Sequence, residues 1–262
     1  MIIDGLKIAN NIKDNIKIKE GTTNKRLGLL YEGVEKNQQS YMKRIKKDFE
    51  SKIVVDLWDI ERTDGVANCM KSASKIKALN NLYDKILAVK PFEDGTRHVL
   101  EENLDRNKDI DNYLGFKHGY SCTSEAVQEI LKYVNVSIQE SNIVVLGSRG
   151  EGDDIIRILN NYDNNGTVIG IHSKTPKHLK AKLLSQADIV ILATGQKDIY
   201  TMEDLEANIA RDLCVIDVGR GEIEQRVVDY CKDNPHTHVT TAINGVGVVT
   251  TACLLRRVLN NK

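Results

Sequence analysis

The sequence has no excess of charge of either sign. Its 262 residues carry 37 lysines and arginines against 37 aspartates and glutamates, so the formal net charge is zero. A chain with this balance has no global electrostatic reason to bind nucleic acid or an anionic membrane. We therefore expect neither nucleic acid nor a membrane among its partners.

Long apolar segments are also missing. No uninterrupted hydrophobic run approaches the roughly 20 residues that a membrane-spanning helix needs. Residues 1–15 include Asp4 and contain neither the apolar block nor the cleavage site of a secretory signal. Hydrophobic residues make up 41% and charged residues 28% of the chain, which is typical of a globular protein. We expect it to be cytoplasmic.

The cysteines and histidines do not form the pattern of a zinc site. The five cysteines are widely spaced, and no two of them form a C-x-x-C pair. His236 and His238 are two residues apart, which is weak evidence for a metal because structural zinc generally needs four ligands. We expect reduced, structural cysteines and no bound metal.

What the sequence does contain is an alternation of apolar strand-like blocks and helix-like segments. In the first part of the chain, strands are predicted at 27–31, 53–58 and 84–89, and helices at 37–51 and 65–80. Strand–helix–strand repetition at this spacing predicts right-handed crossovers and a parallel sheet. Residues 93–120 are polar and have no strong period, so we interpret them as a connection or a segment that lines a cleft.

A second alternating block follows a predicted helix at 124–133. Its strands are predicted at 142–147, 167–171, 188–193 and 213–219, and its helices near 153–161 and 176–185. The sequence thus predicts an α/β fold of two domains, each a mostly parallel sheet flanked by helices, the second Rossmann-like. The expected limits are 1–120 and 121–248, with the C-terminal helix, 249–262, packing back on the first domain.

A glycine-rich turn, Gly147-Ser148-Arg149-Gly150-Glu151-Gly152, separates the first strand of the second domain from the next helix. Glycines let a backbone turn sharply and approach a diphosphate, whose charge then meets the N–H groups at the start of the helix. The next strand begins about 20 residues later, which favours a dinucleotide site.

The residues after that next strand bear on the choice of cofactor. A site for NAD normally has Asp or Glu there, which accepts a hydrogen bond from the ribose 2′-hydroxyl. This chain has Ser173 and Lys174 instead, and these side chains and Arg149 suit a 2′-phosphate. NADP is therefore predicted rather than NAD. The alternative is that these residues form a surface turn with ordinary solvated charges.

Three carboxylates in the glycine-rich region oppose that prediction. Glu151, Asp153 and Asp154 are expected beside the diphosphate. Two like charges about 4 Å apart cost on the order of 4 kcal/mol at an effective dielectric of 20. Weak or lost cofactor binding is therefore a second hypothesis.

Short blocks along the whole chain occur in the order found in one enzyme family. They are Ile3-Asp4-Gly5 with Ile8-Ala9, Tyr41, residues 108–111, 121–123, the glycine-rich turn, 172–175, 187–189, 215–219, 245–247 with Thr250, and Leu254-Leu255. Together they resemble the methylenetetrahydrofolate dehydrogenase/cyclohydrolase (FolD-type) family.

The resemblance implies two domains that flank a cleft, with a tetrahydrofolate derivative in the cleft and NADP on the second domain. It also implies a homodimer and a reaction in two steps. In the first, NADP+ oxidises 5,10-methylenetetrahydrofolate to the methenyl form. In the second, water converts the methenyl form to 10-formyltetrahydrofolate.

The resemblance also assigns roles to single residues. Tyr41 corresponds to a tyrosine that stacks on the pterin, and Asp111 to an aspartate that pairs with the pterin amino and ring N–H groups. From the sequence alone, Tyr41 could equally be an ordinary half-buried helix residue, and Asp111 a solvated loop acid. The implied cofactor contacts are Gly147, Ser148, Arg149, Ser173, Arg220, Gly247 and Thr250.

The chain departs from the family at the catalytic lysine. Ile45 occupies the lysine position, and Val89 replaces a glutamine that lies near that lysine. Attack of water on the methenyl carbon requires proton transfers that an isoleucine cannot provide, and rescue by the neighbouring Lys90 is an alternative. We therefore expect the oxidation, with a doubtful cyclohydrolase step. The alternatives are a catalytically degenerate folate- or nucleotide-binding relative and, ranked last, an unrelated dehydrogenase of small acids.

Overall fold

The computed structural model describes residues 1–16, 25–33, 36–60, 66–115, 119–160, 166–208, 212–219 and 221–260. The chain divides into two compact units. The five-stranded unit comprises Met1–Asp14 and Tyr120–Cys253, and the three-stranded unit comprises Asn15–Gly119 and Leu254–Lys262. Each unit contains a parallel sheet with helices around it, so the predicted α/β class is confirmed.

The three-stranded unit has the strand order β2-β1-β3, with every pair parallel. Its elements are β1(Arg26–Tyr31), α2(Lys36–Phe49), β2(Val54–Asp59), α3(Val66–Leu82), β3(Lys85–Ala88) and α4(Asp94–Asn103). Leu27, Leu29 and Leu30 are fully buried because β1 is the central strand and is covered on both faces.

Helix α4 lies within the segment that we predicted to be an irregular connection. Thr96, Val99 and Leu100 are its buried residues, and their spacing of three and four places them on one side of the helix. Only this narrow stripe is apolar, because the other positions of α4 are mostly polar. The helical period was therefore too weak to detect in the sequence.

The five-stranded unit has the strand order β5-β4-β6-β7-β8, again with every pair parallel. Its elements are α1(Gly5–Asp14), α5(Cys122–Tyr133), β4(Asn142–Leu146), α6(Glu151–Asn160), β5(Thr167–Ile171), α7(Lys177–Ser185), β6(Ile189–Leu192), α8(Met202–Glu206), β7(Leu213–Asp217), α9(Gln225–Cys231), β8(Thr237–Val239) and the start of α10(Val246–Asn260). In an order of this type, the connections from β4 and β6 leave on opposite sides of the sheet, which opens a crevice at the carboxyl ends of these two strands.

The structure differs from the expected division of the chain at its N-terminus. Met1–Asp14 belongs to the five-stranded unit, because the first residues run parallel to β8. The Ile3 N–H donates to the Val239 carbonyl at 2.8 Å, and the Val239 N–H donates to the Met1 carbonyl at 3.0 Å. Because the paired residues are far apart in the sequence, no local sequence pattern predicts this pairing.

Near the C-terminus, the boundary between the two units falls within α10. Its last part, from Leu254, belongs to the three-stranded unit. There the Arg257 guanidinium donates to the Ile110 carbonyl oxygen at 2.9 Å. The expectation that the two domains divide folate and cofactor binding between them remains a proposal.

Three further observations concern the expected absences. None of the helices in the described part of the chain is long and apolar enough to cross a bilayer. Within the same residues, no group of three or more potential metal ligands comes together. All five cysteines are free, and four of them are buried.

We predict that Gly5→Ala destabilises the protein by roughly 1–3 kcal/mol. A Cβ atom at Gly5 would lie 2.2 Å from the Asn244 carbonyl oxygen and 2.6 Å from that of Gly245. The measurement is the free energy of unfolding in urea. Asn10→Ala, an exposed position on the same helix, is the control and should change stability by less than about 0.5 kcal/mol. Equal effects of the two substitutions would contradict the prediction.

Candidate functional site

A cavity of about 1170 Å³ lies at the carboxyl ends of β4, β5 and β6. The segments that follow these three strands form its walls, at the crevice that the strand order opens. Open parallel sheets bind their ligands at this position. The cavity is therefore the candidate ligand site of the five-stranded unit.

Close packing shapes the glycine-rich turn on one wall of the cavity. Gly147 has φ +94°, and a Cβ atom there would lie 2.3 Å from the Ala193 carbonyl oxygen. Gly152, in the first turn of α6, would place a Cβ atom 1.6 Å from the Gly147 carbonyl oxygen. Both positions require glycine, and the tight turn between them brings Ser148 and Arg149 to the cavity wall.

The three carboxylates of this region are mostly engaged elsewhere. Glu151 accepts a hydrogen bond from the Ser121 hydroxyl at 2.9 Å, and Asp154 forms an ion pair with Arg157 on the same helix. Asp153 is exposed. The cavity wall, as the described residues form it, includes none of the three carboxylates. Repulsion between these carboxylates and a bound diphosphate stays a prediction.

The wall that follows β5 carries positive charge. The His172 N–H donates to the Thr175 hydroxyl and the Lys174 N–H donates to His172 Nδ1, both at 3.1 Å, which forms a tight turn. Lys174 is exposed on this turn, and Lys177 and Lys180 of α7 also line the cavity. This arrangement suits an anionic group.

The segment after β6 and helix α8 add the acids Asp198, Glu203 and Asp204 to the cavity lining. The Asp204 carboxylate accepts from the backbone N–H of Thr201 in the capping box of α8. The charges of the cavity are thus divided, with cations near the end of β5 and acids near α8. A ligand with an anionic end and a polar end fits this division.

Sequence reasoning missed two buried acids behind the wall that follows β6. Glu222 has no exposed surface, and its carboxylate accepts from the N–H groups of Thr194 and Gly195. Asp217 is 3% exposed and accepts from the Gly221 and Glu222 N–H groups. A local signal existed in the D-V-G-R-G-E segment, where an acid follows two glycines directly after a buried strand.

In the three-stranded unit, the predicted folate residue Asp111 lies in a loop that Asp109 organises. The Asp109 carboxylate accepts from the N–H groups of Tyr113 at 3.0 Å and Leu114 at 2.8 Å. Burial raises the pKa of the Asp109 carboxyl, although these backbone donors oppose the shift. Asp111 itself is partly buried.

The other predicted folate residue, Tyr41, is half-buried on α2, the helix that also carries Ile45. Ile45 has no exposed surface. The Gln38 amide donates to the Val89 carbonyl oxygen at 3.2 Å and so connects α2 with the end of β3. The exposed Lys90 ammonium lies 5.8 Å from the centre of the Tyr113 ring.

Only some of the remaining predicted cofactor contacts line the cavity. Gly147, Ser148, Arg149 and Ser173 line the cavity. Gly247 and Thr250 lie in the first turns of α10, where the Thr250 hydroxyl donates to the Val246 carbonyl oxygen at 3.1 Å. Neither contributes to the cavity wall that the described residues form. Arg220 lies outside the described residues. All of these assignments remain predictions.

Comparison with known families identifies the fold and its cofactor domain. The sequence model of the tetrahydrofolate dehydrogenase/cyclohydrolase NAD(P)-binding domain matches residues 121–262, more than half of the chain. The chain belongs to the tetrahydrofolate dehydrogenase/cyclohydrolase family. The predicted family and the predicted dinucleotide-binding domain are thus confirmed.

Individual members of the family are similar over almost their whole length. The bifunctional protein FolD of Malacoplasma penetrans is 28% identical over 284 residues, which cover 99% of this chain and 96% of that protein. The structure of the bifunctional FolD dehydrogenase/cyclohydrolase of Campylobacter jejuni has a TM-score of 0.80 at 21% identity and covers 100% of this chain and 98% of its own. The Trypanosoma brucei FolD structure, a complex with NADP and an inhibitor, has a TM-score of 0.80 at 20% identity, covering 100% and 96%. The fold is therefore that of the family.

We predict that Gly152→Ala is far more destabilising than Gly150→Ala. The added methyl group at position 152 would overlap the Gly147 carbonyl oxygen, whereas no atom lies within 4 Å of a Cβ at Gly150. Gly150 has φ +57°, so alanine there should cost only about 1–2 kcal/mol of backbone strain. The measurement is the free energy of unfolding of both variants. The assignment of a tight turn would be wrong if Gly152→Ala were as stable as Gly150→Ala.

Proposed function

We propose that this protein oxidises 5,10-methylenetetrahydrofolate to the methenyl form with NADP+, and that it hydrolyses the methenyl form poorly. Membership of the family supports the reaction. The observation that supports NADP rather than NAD is the cationic wall after β5. This wall has no carboxylate between Ile171 and Lys177.

The phosphate of NADP distinguishes it from NAD, and the wall after β5 suits that phosphate. A carboxylate at this place accepts a hydrogen bond from a free 2′-hydroxyl but repels a 2′-phosphate. Ser173, Lys174 and Arg149 line the cavity and are all donors, and Arg149 can bind an anion through two parallel hydrogen bonds. The related T. brucei enzyme was solved with NADP, in agreement with this proposal.

The oxidation demands positioning rather than acid–base chemistry. When bound, NADP+ supplies the hydride acceptor, and loss of a hydride from the methylene carbon leaves the methenyl cation without any proton transfer. The chain's own residues then have to hold two ligands in register and exclude water. Tyr41 and Asp111 are the residues that we propose for the pterin.

The hydrolytic step has different requirements, which this chain does not meet at the expected positions. Water that attacks the methenyl carbon must lose a proton, and a positioned acid–base group typically contributes about 10²–10⁴-fold in rate. Ile45 has no exposed surface and Val89 is 5% exposed, and neither side chain exchanges protons. The methenyl form should therefore be released before it is hydrolysed.

The same two apolar residues favour a second candidate, a relative that binds folate and nucleotide without turnover. Both residues lie where the family has polar groups, so catalysis as a whole could have been lost. Binding of both ligands without formation of NADPH would support this candidate. The homodimer and the cytoplasmic location implied by the resemblance stay predictions.

We predict that purified protein given NADP+ and 5,10-methylenetetrahydrofolate accumulates the methenyl compound. Absorbance of the methenyl product and of NADPH, followed together, measures the two steps. The control is hydrolysis of the methenyl compound without protein, which should proceed at nearly the same rate as with it. Rapid conversion to 10-formyltetrahydrofolate would contradict the proposed loss of the second step.

We also predict that Lys174→Ala weakens the use of NADP+ but not that of NAD+. Loss of one hydrogen bond to a charged group should lower kcat/KM for NADP+ by about tenfold or more. Lys182→Ala is the matched control, because Lys182 is an exposed lysine of α7 that is not part of the cavity wall among the described residues. An equal loss for both cofactors would contradict a contact with the 2′-phosphate.

A further inference from the structure

We propose that Glu222 is a positioning residue that fills an anion site behind the cavity wall that follows β6, and that it thereby fixes the loop that borders the binding place of the cofactor phosphates. This inference rests on the proposed function. Its basis is the contact between the Glu222 carboxylate and the β6 loop, which we define as residues 194–198.

The β6 loop presents two successive N–H groups in the geometry of an anion site. Gly195 has φ +71°, and a left-handed residue after a right-handed or extended one turns neighbouring N–H groups toward one point. The Glu222 carboxylate occupies that point. It accepts from the Thr194 N–H at 2.9 Å, the Gly195 N–H at 2.8 Å and the Thr194 hydroxyl at 2.6 Å.

Complete burial makes this contact energetically important. Glu222 has no exposed surface, and a buried carboxylate is tolerated only when hydrogen-bond donors replace water. The two N–H groups and the hydroxyl are such donors. The carboxylate and the loop therefore depend on each other, and a phosphate could bind these N–H groups only by displacing Glu222.

Hydrogen bonds within the turn after β7 fix the position of this carboxylate. The Gly221 and Glu222 N–H groups donate to Asp217 Oδ2 at 2.6 Å and 3.1 Å, while the Asp217 N–H donates to the Thr240 hydroxyl at 2.7 Å. At Gly219 a Cβ atom would lie 1.8 Å from Glu222 Oε1, so the backbone passes directly against the carboxylate. The position of Glu222 is thus set by contacts on both sides.

The β6 loop contacts Glu222 and also forms part of the cavity wall. Thr194, Gln196 and Asp198 line the cavity. The Gln196 N–H donates to the Thr194 hydroxyl at 3.0 Å, and the Asp198 N–H donates to the Gly221 carbonyl at 2.9 Å. Both ends of the loop are therefore tied to the segment that carries Glu222. With this anion site filled, the glycine-rich turn and the cationic wall after β5 are left to receive phosphates.

The test compares Glu222→Ala and Glu222→Gln with Asp188→Asn as the matched control. Asp188 also accepts from a backbone N–H, that of Asn142 at 2.8 Å, but at the opposite ends of β4 and β6 from the cavity. Calorimetry gives the Kd for NADP+ and for inorganic phosphate, and steady-state kinetics gives the KM of each substrate. Thermal unfolding reports on stability.

We expect Glu222→Ala to raise the Kd for NADP+ by about tenfold or more, because the loop loses the acceptor of several hydrogen bonds. The KM for the folate substrate should stay within about twofold of the wild-type value. A general loss of stability would not change the Kd for NADP+ and leave this KM unchanged. Glu222→Gln should lie between wild type and Glu222→Ala, since its amide oxygen still accepts from one N–H. Asp188→Asn should alter unfolding only. An unchanged Kd for NADP+ in both Glu222 variants would overturn the proposal.

Inorganic phosphate separates this proposal from the proposed function. Emptying the anion site in Glu222→Ala should create phosphate binding that is absent from wild type and from Asp188→Asn. If wild type does not bind NADP+, the proposed cofactor is wrong, and the gain of phosphate binding still supports the filled anion site. No gain of phosphate binding by Glu222→Ala would overturn the inference. If Glu222→Ala does not fold, the Kd of Glu222→Gln for NADP+ decides it, and a value equal to that of wild type would overturn the inference.

Discussion

The contact between the start of α6 and the end of β4 is the constraint on which the cavity of the five-stranded unit depends. The helix follows the strand so closely that a side chain at position 152 would overlap the Gly147 carbonyl oxygen. The tight turn places the amino end of α6 at the carboxyl edge of the sheet, where a helix favours an anion. It also brings Ser148 and Arg149 to the cavity wall. A looser turn would lose both features together.

Much of the five-stranded sheet could be predicted because its strands are short apolar runs bounded by turns. Strands β4 and β6 are buried on both faces and consist almost entirely of Ile, Val and Leu. The elements that were missed carry weaker local signals. Helix α4 buries a narrow stripe, and β8 has only three residues. The pairing of Ile3 with Val239 depends on chain segments at opposite ends of the sequence, so no local pattern reveals it.

Some features of the candidate site can likewise be predicted from the local sequence, and others appear only in the folded structure. The glycine-rich turn and the absence of an acid after β5 are local features, and the sequence predicts them directly. Glu222 shows the opposite case. An acid after a glycine turn resembles a solvated surface residue, and only the fold shows that it is enclosed and bonded to a neighbouring loop. The partner of Glu151, Ser121, likewise follows from packing, whereas Arg157 lies three residues from Asp154 on the same helix and is a local partner.

The enclosure of Ile45 limits which side chains its position accepts. A lysine at that position needs water or an anionic partner for its ammonium group, and a side chain with no exposed surface has no access to water. A lysine at this position would therefore require the surrounding side chains to change as well. The enclosure commits the position to an apolar side chain for as long as its neighbours stay the same.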